Sequence, residues 1–347
     1  MLAIIVQAYA GSMTAVDLSI LLPVRNGERF LGEALRSLSA QTFEAWEASV
    51  VDDGSSDCSV AIAAEHAAGD SRFRLVPRRG EGLVAALETA RVAARGRLIA
   101  RMDADDVALP DRLAVQLAAL AEDGLDAVGG GVEYFPAEDV TDGARRYTAW
   151  LNSLVTVDAA ARDVFVECPL AHPTLMARAE TLGAVGGYRD CGWPEDYDLV
   201  LRLWATGARF RNVDRVLLRW RDHPGRLSRT ESTYAVDAFV RCKAHHLDRT
   251  LLAPFPSVCV WGAGPVGKAF ARELARIGRV VDAFVEVHPR KIGRRIYRAP
   301  VVAVEDAPRF AASFAIGAVA GHEARERIRA VVREQGRREG VDFVAVA

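Results

Sequence analysis

Asp103, Asp105 and Asp106 fall within four positions at the end of the apolar run RLIARMDADD. Like charges so crowded repel unless a cation sits among them. In an extended segment residues i and i+2 project to one side, so Asp103 and Asp105 can face one ligand while Asp106 turns away to support the loop. Hard divalent cations such as Mg2+ or Mn2+ take carboxylate oxygens together with substrate phosphates. Taken alone, the triplet reads equally well as a solvated turn ahead of the helix that opens at LPDRLAVQ. A second cluster, VVDDGSSD with Asp52 and Asp53, also closes an apolar run. A third, WPEDYD, holds Glu195 and Asp196, and by itself it reads as an acidic helix N-terminus favoured by the macrodipole.

The elements around these clusters alternate. DLSILLPV reads as a strand, ERFLGEALRSLSAQ as an amphipathic helix, and EASVVDD, RFRLVP and GRLIARM as further strands, with a helix over EGLVAALETARVAA. Such alternation predicts an α/β domain with a mostly parallel sheet and covering helices. Ligands of such sheets gather beyond the carboxyl ends of the strands, which is where both aspartate clusters fall. From about residue 127 the pattern loosens through GGGVEYFPAEDVTDGARRY. Helical patterning returns at NSLVTVDAAARDVFV and PEDYDLVLRLWATG, followed by two strand-like runs, ARFRNV and RVLLRWR, and a helix near STYAVDAFVRCKAHHLD.

The stretches LLPVRNGERFLGEALRSLSAQTF, VVDDGSSD, ARGRLIARMDADDVALPDRLAVQ, CPLAHPTLMAR and WPEDYDLVLRLWATG occur in that order. Together they resemble an inverting glycosyltransferase of family 2, with the GT-A (nucleotide-diphospho-sugar transferase) fold, over residues 17 to 226, about 60% of the chain. The resemblance implies a hexosyltransferase-type enzyme working from a nucleotide-sugar donor, a UDP-sugar, in cell-surface polysaccharide or glycoconjugate synthesis. It implies that Pro23 and the adjacent VRNGE form the first nucleotide loop, that one of Asp52 and Asp53 contacts the base, that Asp103 lies near the ribose and Asp105 on the metal, and that Asp196 is the general base with Glu195 beside it. His223 in RWRDHPGRLS matches a family histidine that can complete the metal shell, and Arg219, Arg221 and Arg226 can neutralise phosphate. One departure is RRGEGLVAALETAR, where many relatives carry asparagines around the glycine. The implied chemistry is coherent: one base takes the acceptor proton while a cation stabilises the departing diphosphate. His172 reads as a hydrogen-bonded structural histidine, Trp193 as either a sugar platform or a packed ring, and His245 and His246 as surface residues.

A fourth constellation lies further on. VCVWGAGPVGKAF carries Gly262, Gly264 and Gly267 as GxGxxG after a strand and opening a helix, and Glu286 ends the next strand 24 positions after Gly262. This context fits a Rossmann-like turn that seats phosphate at a helix N-terminus. The stretch VEVHPRKIGRRIYRAPVV also resembles the small Rossmann-like N-terminal domains of bacterial sugar acyltransferases. About 90 residues remain from that point, too few for a dehydrogenase with its own substrate domain, so a module without redox chemistry is favoured over NAD(P) binding. With LLAPFPS as the linker, the boundary falls near 253, giving a glycosyltransferase domain over 17–250 and a smaller Rossmann-like α/β domain over 257–347.

The bulk numbers agree with two domains: 347 residues, at roughly 150 per domain. Lys plus Arg (44) nearly balance Asp plus Glu (46), which argues against nucleic acid and for a small-molecule or sugar partner. Five scattered cysteines without a CxxC pair fit a reducing cytoplasm, and no apolar run reaches the roughly 20 residues of a membrane span. The apolar N-terminus has no basic residue before Arg25, so a signal peptide there would lack its charged n-region, and Met13 is expected as the true initiator. A sugar or lipid-linked acceptor would allow peripheral contact with the inner face of the membrane. The competing readings are an NAD(P)-dependent sugar-modifying enzyme and a non-catalytic nucleotide-sugar-binding protein.

Overall fold

The computed structural model describes residues 16–122 and 124–347; Met13 lies outside them. The chain runs β1 (Leu18–Val24), α1 (Leu31–Ser39), β2 (Trp46–Asp52), α2 (Ser59–Gly69), β3 (Phe73–Pro77), α3 (Leu83–Ala93), β4 (Leu98–Arg101), β5 (Val107–Ala108), α4 (Arg112–Glu122) and β6 (Ala127–Phe135). Then follow α5 (Asp142–Ser153), α6 (Val157–Asp163), β7 (Met176–Arg178), α7 (Ala179–Ala184), α8 (Glu195–Ala205) and β8 (Phe210–Arg221). These strands form one eight-stranded sheet in the order β3-β2-β1-β4-β7-β6-β8-β5.

β1 is wholly buried and pairs in parallel with β2 on one side and β4 on the other. Its register sets Val24 beside Asp52 and Leu21 beside Arg101, so the carboxyl ends of all three strands share one edge. The chain leaves β1 toward β2 and returns later to β4, which makes this edge a topological switch point, where ligands of open α/β sheets bind. The core beneath it follows the helical period: Leu31, Ala34, Leu35 and Leu38 of α1 are fully buried, with Leu113 and Leu120 of α4 and Trp46 of β2.

The two runs ARFRNV and RVLLRWR are one strand, β8, paired in parallel with β6. Its register shifts around Gly130 and Gly131, and a β-carbon on Gly131 would lie 2.7 Å from the Arg215 carbonyl oxygen. The backbones approach so closely there that only glycine fits.

A second sheet contains β9 (Ser257–Trp261), β10 (Val280–Val285), β11 (Arg295–Ile296), β12 (Ala299–Val302), β13 (Phe314–Gly317) and β14 (Phe343–Ala345), in the order β11-β12-β10-β9-β13-β14. Every pairing but the β11–β12 hairpin is parallel, and the first strand lies central, as in doubly wound Rossmann-type sheets. The Cβ that an alanine would place at Gly267, in the helix after β9, falls 1.9 Å from the Gly262 carbonyl oxygen, so the glycine pattern here serves close helix–strand packing.

Contacts divide the chain differently from the expected boundary near 253. Residues 162–168, 191–201 and 227–347 form the second compact unit, and the other residues up to 226 form the first. The helix at Val236–Arg249 therefore groups with the second sheet: Lys243, buried, donates to the carbonyl oxygens of Val166 at 2.7 Å and Val346 at 3.1 Å, and Asp248 accepts from Arg279 at 2.5 Å. Among the described residues no helix is long and apolar enough to cross a membrane.

Candidate active site

The edge of the first sheet is built from loops that hold one another. Asn26 and Gly27, after β1, donate their amides to the hydroxyls of Ser55 (2.9 Å) and Ser59 (2.8 Å), while the Ser56 amide donates back to Asn26 Oδ1 at 2.9 Å. Glu28 and Asp57 exchange two more such bonds with the opposite loop, through the Cys58 and Glu28 amides. The VRNGE and DDGSSD motifs are thus one interlocked loop pair. Gly54 has φ 74°, a left-handed conformation, with the Gly80 amide 3.0 Å from where its side chain would begin.

Within this pair the two aspartates differ. Asp53 spends both oxygens on the loop before α3, accepting from the Glu81 and Gly82 amides at 2.8 Å each. Asp52 accepts from the Ser55 amide with Oδ2, and its Oδ1 is buried without a hydrogen bond. An unsatisfied buried acceptor is costly, and a ligand N–H would satisfy it.

At the end of β4 the structure brings Asp103, Asp105 and Asp106 together, each offering an oxygen within 4.8 Å of the others. Arg101, buried in the last strand position, donates to Asp103 Oδ1 at 2.5 Å. Asp105 Oδ2 lies 2.8 Å from His223 Nε2, and the Arg221 side chain donates to the Asp105 carbonyl oxygen at 2.7 Å. Asp106, only 1% exposed, accepts from the Arg221 amide at 2.8 Å with Oδ1, while Oδ2 has no partner. Burial, then the neighbouring carboxylates, push Asp105 up and Asp106 well above the ordinary range. The hard oxygen set, the unsatisfied Asp106 oxygen and this charge crowding all fit a divalent cation.

Cations surround the cluster. Arg112, at the start of α4, is fully buried and donates to the Arg101 carbonyl oxygen at 2.6 Å; burial pulls its guanidinium down to about 9 against the pull of Asp106. Arg226 lies 4.7 Å over the Trp220 ring, which stacks on Tyr134 at 5.1 Å, and Arg221 also pairs with Glu33. Arg219 instead reaches Glu133 at 3.6 Å. Sequence reasoning passed over Arg101 and Arg112. The available signal was a charged residue interrupting an otherwise apolar strand, RLIAR, and another opening a helix whose next turns are apolar. His172 is buried against Tyr188, its ring nitrogen 3.0 Å from the hydroxyl, and burial holds it neutral.

The third acidic cluster belongs to the second compact unit. Asp196 and Glu195 open α8, where the helix N-terminus favours negative charge. Asp196 Oδ1 accepts from the Tyr197 amide at 2.7 Å, whereas Glu195, buried, is held by the Tyr234 hydroxyl at 2.7 Å. Burial and then Glu195 push Asp196 up to about 8. One turn on, Asp198 Oδ1 accepts from Trp193 Nε1 at 3.1 Å and lies 3.0 Å from His246 Nε2. His246 is thus a buried brace rather than a surface residue, and Trp193 is tethered through its ring nitrogen. Asp198, His246 and Cys242 are a second group that could hold a metal, but the carboxylate and imidazole already bond one another and burial pushes the Cys242 thiol up.

In the second unit Gly262 and Gly264 lie in the turn after β9, Gly267 lies in the first turn of the helix that follows, and Glu286 follows β10. Glu286 Oε2 accepts from the Ala263 amide at 3.2 Å and from Lys291 Nζ at 2.8 Å, so the acidic residue of the fingerprint ties down the glycine turn itself.

A parallel strand edge bearing a carboxylate triplet with a histidine, beside an interlocked acidic loop pair, defines a nucleotide-sugar transferase of the GT-A type. The family model for glycosyl transferase family 2 matches residues 19–178. EpsE of Bacillus subtilis (strain 168), whose name assigns it provisionally to the glycosyltransferases, is 32% identical over 225 residues, covering 63% of this chain and 78% of that protein. The O-antigen biosynthesis glycosyltransferase WbnJ of Escherichia coli is 28% identical over 220 residues, 61% of this chain and 82% of its own. Among solved structures, S. aureus TarS 1–349 in complex with UDP-GlcNAc superposes with a TM-score of 0.55 at 17% identity, over 75% of this chain and 72% of that one. Glucosyl-3-phosphoglycerate synthase from Mycobacterium tuberculosis, in complex with Mg2+ and UDP, gives 0.51 at 20% identity, over 72% and 83%. The chain belongs to glycosyltransferase family 2.

Proposed function

We propose that the chain moves a sugar from a UDP-sugar to an acceptor hydroxyl with inversion, in the assembly of a cell-surface polysaccharide or glycoconjugate. The observation that carries this is the joint presence, at one strand edge, of the Asp103–Asp105–Asp106 group with His223 and the unsatisfied Asp52 oxygen. The uridine nucleotides in the TarS and Mycobacterium structures support the donor, and the O-antigen role in the name of WbnJ supports the pathway class.

Asp105 and His223 would hold Mg2+ or Mn2+, with Asp103 toward the ribose. When bound, that ion supplies Lewis-acid stabilisation of the departing diphosphate. Arg226, whose charge is opposed by burial but favoured by Tyr134 and then by Asp106 and Asp105, adds to the positive field on the leaving group. The Pro23 loop and Asp52 hold the base: uracil presents an N–H, and Asp52 Oδ1 is the acceptor left over, since Asp53 serves the Glu81 and Gly82 amides. Asp52→Asn is expected to weaken UDP binding about 10- to 100-fold, the value of one hydrogen bond to a charged group. Titration calorimetry on the variant checks it; unchanged affinity would move the base contact elsewhere.

Asp196 takes the acceptor proton, with Glu195 as its neighbour. A carboxyl near 8 is mostly protonated at pH 7, and only the ionised form can accept a proton. The rate kcat/KM should therefore climb about tenfold per unit below pH ~8 and level off above it. Removing the neighbouring charge lowers the Asp196 pKa, so Glu195→Gln should slide the whole rising limb to lower pH.

The acceptor is a sugar or a lipid-linked sugar, which brings the protein to a membrane surface. The module over 257–347 is read as Rossmann-like, with Gly262, Gly264, Gly267 and Glu286 as its nucleotide-type turn. A thermal shift with NAD+, NADP+ and UDP-sugars tests whether that turn takes a ligand. Inversion itself is tested without knowing the acceptor: NMR of the sugar first released by donor hydrolysis should show the β-anomer from an α-linked donor, and initial α-anomer would contradict the proposal.

A further inference from the structure

The basic hairpin of the second unit is absorbed by none of the above. From Val287 to Val304 there is no Asp or Glu, while Arg290, Lys291, Arg294, Arg295 and Arg298 add five positive charges to a chain whose net charge is -2. Lys291 pairs with Glu286, and Arg295 donates to the Arg298 carbonyl oxygen at 3.0 and 2.5 Å, shaping the tip. Arg290, Arg294 and Arg298 are exposed and form no ion pair with the described residues. Among them stand apolar side chains in contact with solvent: Val287 is 78% exposed, Tyr297 56% and Ile292 36%.

The tip is also strained. The register of β11 on β12, Ile296 opposite Ala299, leaves Tyr297 and Arg298 as the two turn residues, at φ 48° and 72°. Two-residue hairpin turns with positive φ at both positions favour Asn-Gly, because larger side chains reach this region at a cost. A bulky aromatic and an arginine held there against local preference point to a role outside the fold.

We propose that this hairpin is a membrane-docking surface, seating Arg290, Arg294 and Arg298 on anionic lipid headgroups with Tyr297, Ile292 and Val287 entering the interfacial layer. Polybasic clusters bind anionic bilayers through charge complementarity, and aromatic and aliphatic side chains among the cations are what an interfacial layer, unlike a nucleic acid backbone, can bury. The inference rests on the proposed function only for its purpose, bringing a lipid-borne acceptor within reach; the docking itself is a property of the hairpin.

Flotation of the full chain with phosphatidylcholine vesicles, with and without phosphatidylglycerol, tests it. Binding is expected only with phosphatidylglycerol, and it should be lost in ~1 M salt, where charges are screened within about 3 Å. Combining Arg290→Ala, Arg294→Ala and Arg298→Ala should lower partitioning roughly a hundredfold, at about 1 kcal/mol per charge. The decisive variant is Tyr297→Asn with Arg298→Gly, which installs the pair the turn prefers: thermal stability should hold or rise while vesicle binding falls. Absent wild-type binding, equal binding to both vesicle types, capture of RNA but not vesicles, or full vesicle binding by the Asn-Gly variant would each overturn the proposal. Metal-dependent UDP binding, measured on the same variants, should be unchanged; its absence in the wild type would instead count against the donor reading and leave the vesicle result standing.

Discussion

Asp105→Ala is expected to abolish metal-dependent UDP binding and to lower kcat/KM by at least about a thousandfold, on the order of 4 kcal/mol of transition-state stabilisation. The carboxylate bonds His223 at 2.8 Å and its backbone carbonyl is fixed by Arg221, so a single truncation opens the shell while its supports stay in place. The same change has an opposite signature on the empty protein. Asp105 is one of the charges that push Asp106 up, so deleting it relieves like-charge crowding. Thermal stability without metal should then hold or rise slightly, and stabilisation by added Mn2+ should vanish. A carboxylate serving only the fold would lower stability in both conditions. Calorimetry of UDP with Mn2+, beside melting curves with and without the ion, separates the two.

Asp196→Asn should remove about 10^2- to 10^4-fold of the transfer rate, the range of a general base, with UDP affinity unchanged. Asparagine keeps an oxygen for the Tyr197 amide, so the opening of α8 is preserved and only the capacity to take a proton is lost. Glu195 is a poor substitute, being buried and held by Tyr234. Pre-steady-state nucleotide release with and without acceptor checks this, and a variant turning over at the wild-type rate would remove Asp196 from the mechanism.

The legible part of this chain was the part where periodicity and punctuation coincide. Strands and helices from Leu18 to Arg101 alternate cleanly, and the parallel pairing they imply delivers Asp52 and Asp103 to a common edge. β6 was illegible because its Gly129, Gly130 and Gly131 disfavour strands; they are there to admit Asn212, Leu217 and the Arg215 backbone, which no local pattern encodes. Contacts group the chain otherwise than the LLAPFPS linker suggests, for a related reason. Lys243 and His246 look like surface residues on a polar helix, yet both are buried, paired across 77 and 48 residues of sequence. Arg101 and Arg112 were invisible as site residues because a buried cation is recognised only when its acidic partners are seen around it. Conversely, Asp52 and Asp53 are indistinguishable in sequence, and hydrogen bonds to Glu81 and Gly82 tell them apart.

The most direct test of the central claim is nucleotide release from a panel of nucleotide-sugars, run on the wild-type chain with Mn2+, with EDTA, and with metal restored. UDP should be released from at least one UDP-sugar, with release lost in EDTA, recovered with Mn2+ or Mg2+, and absent in Asp105→Ala. Release that persists in EDTA and in that variant, or no release from any donor, would contradict it.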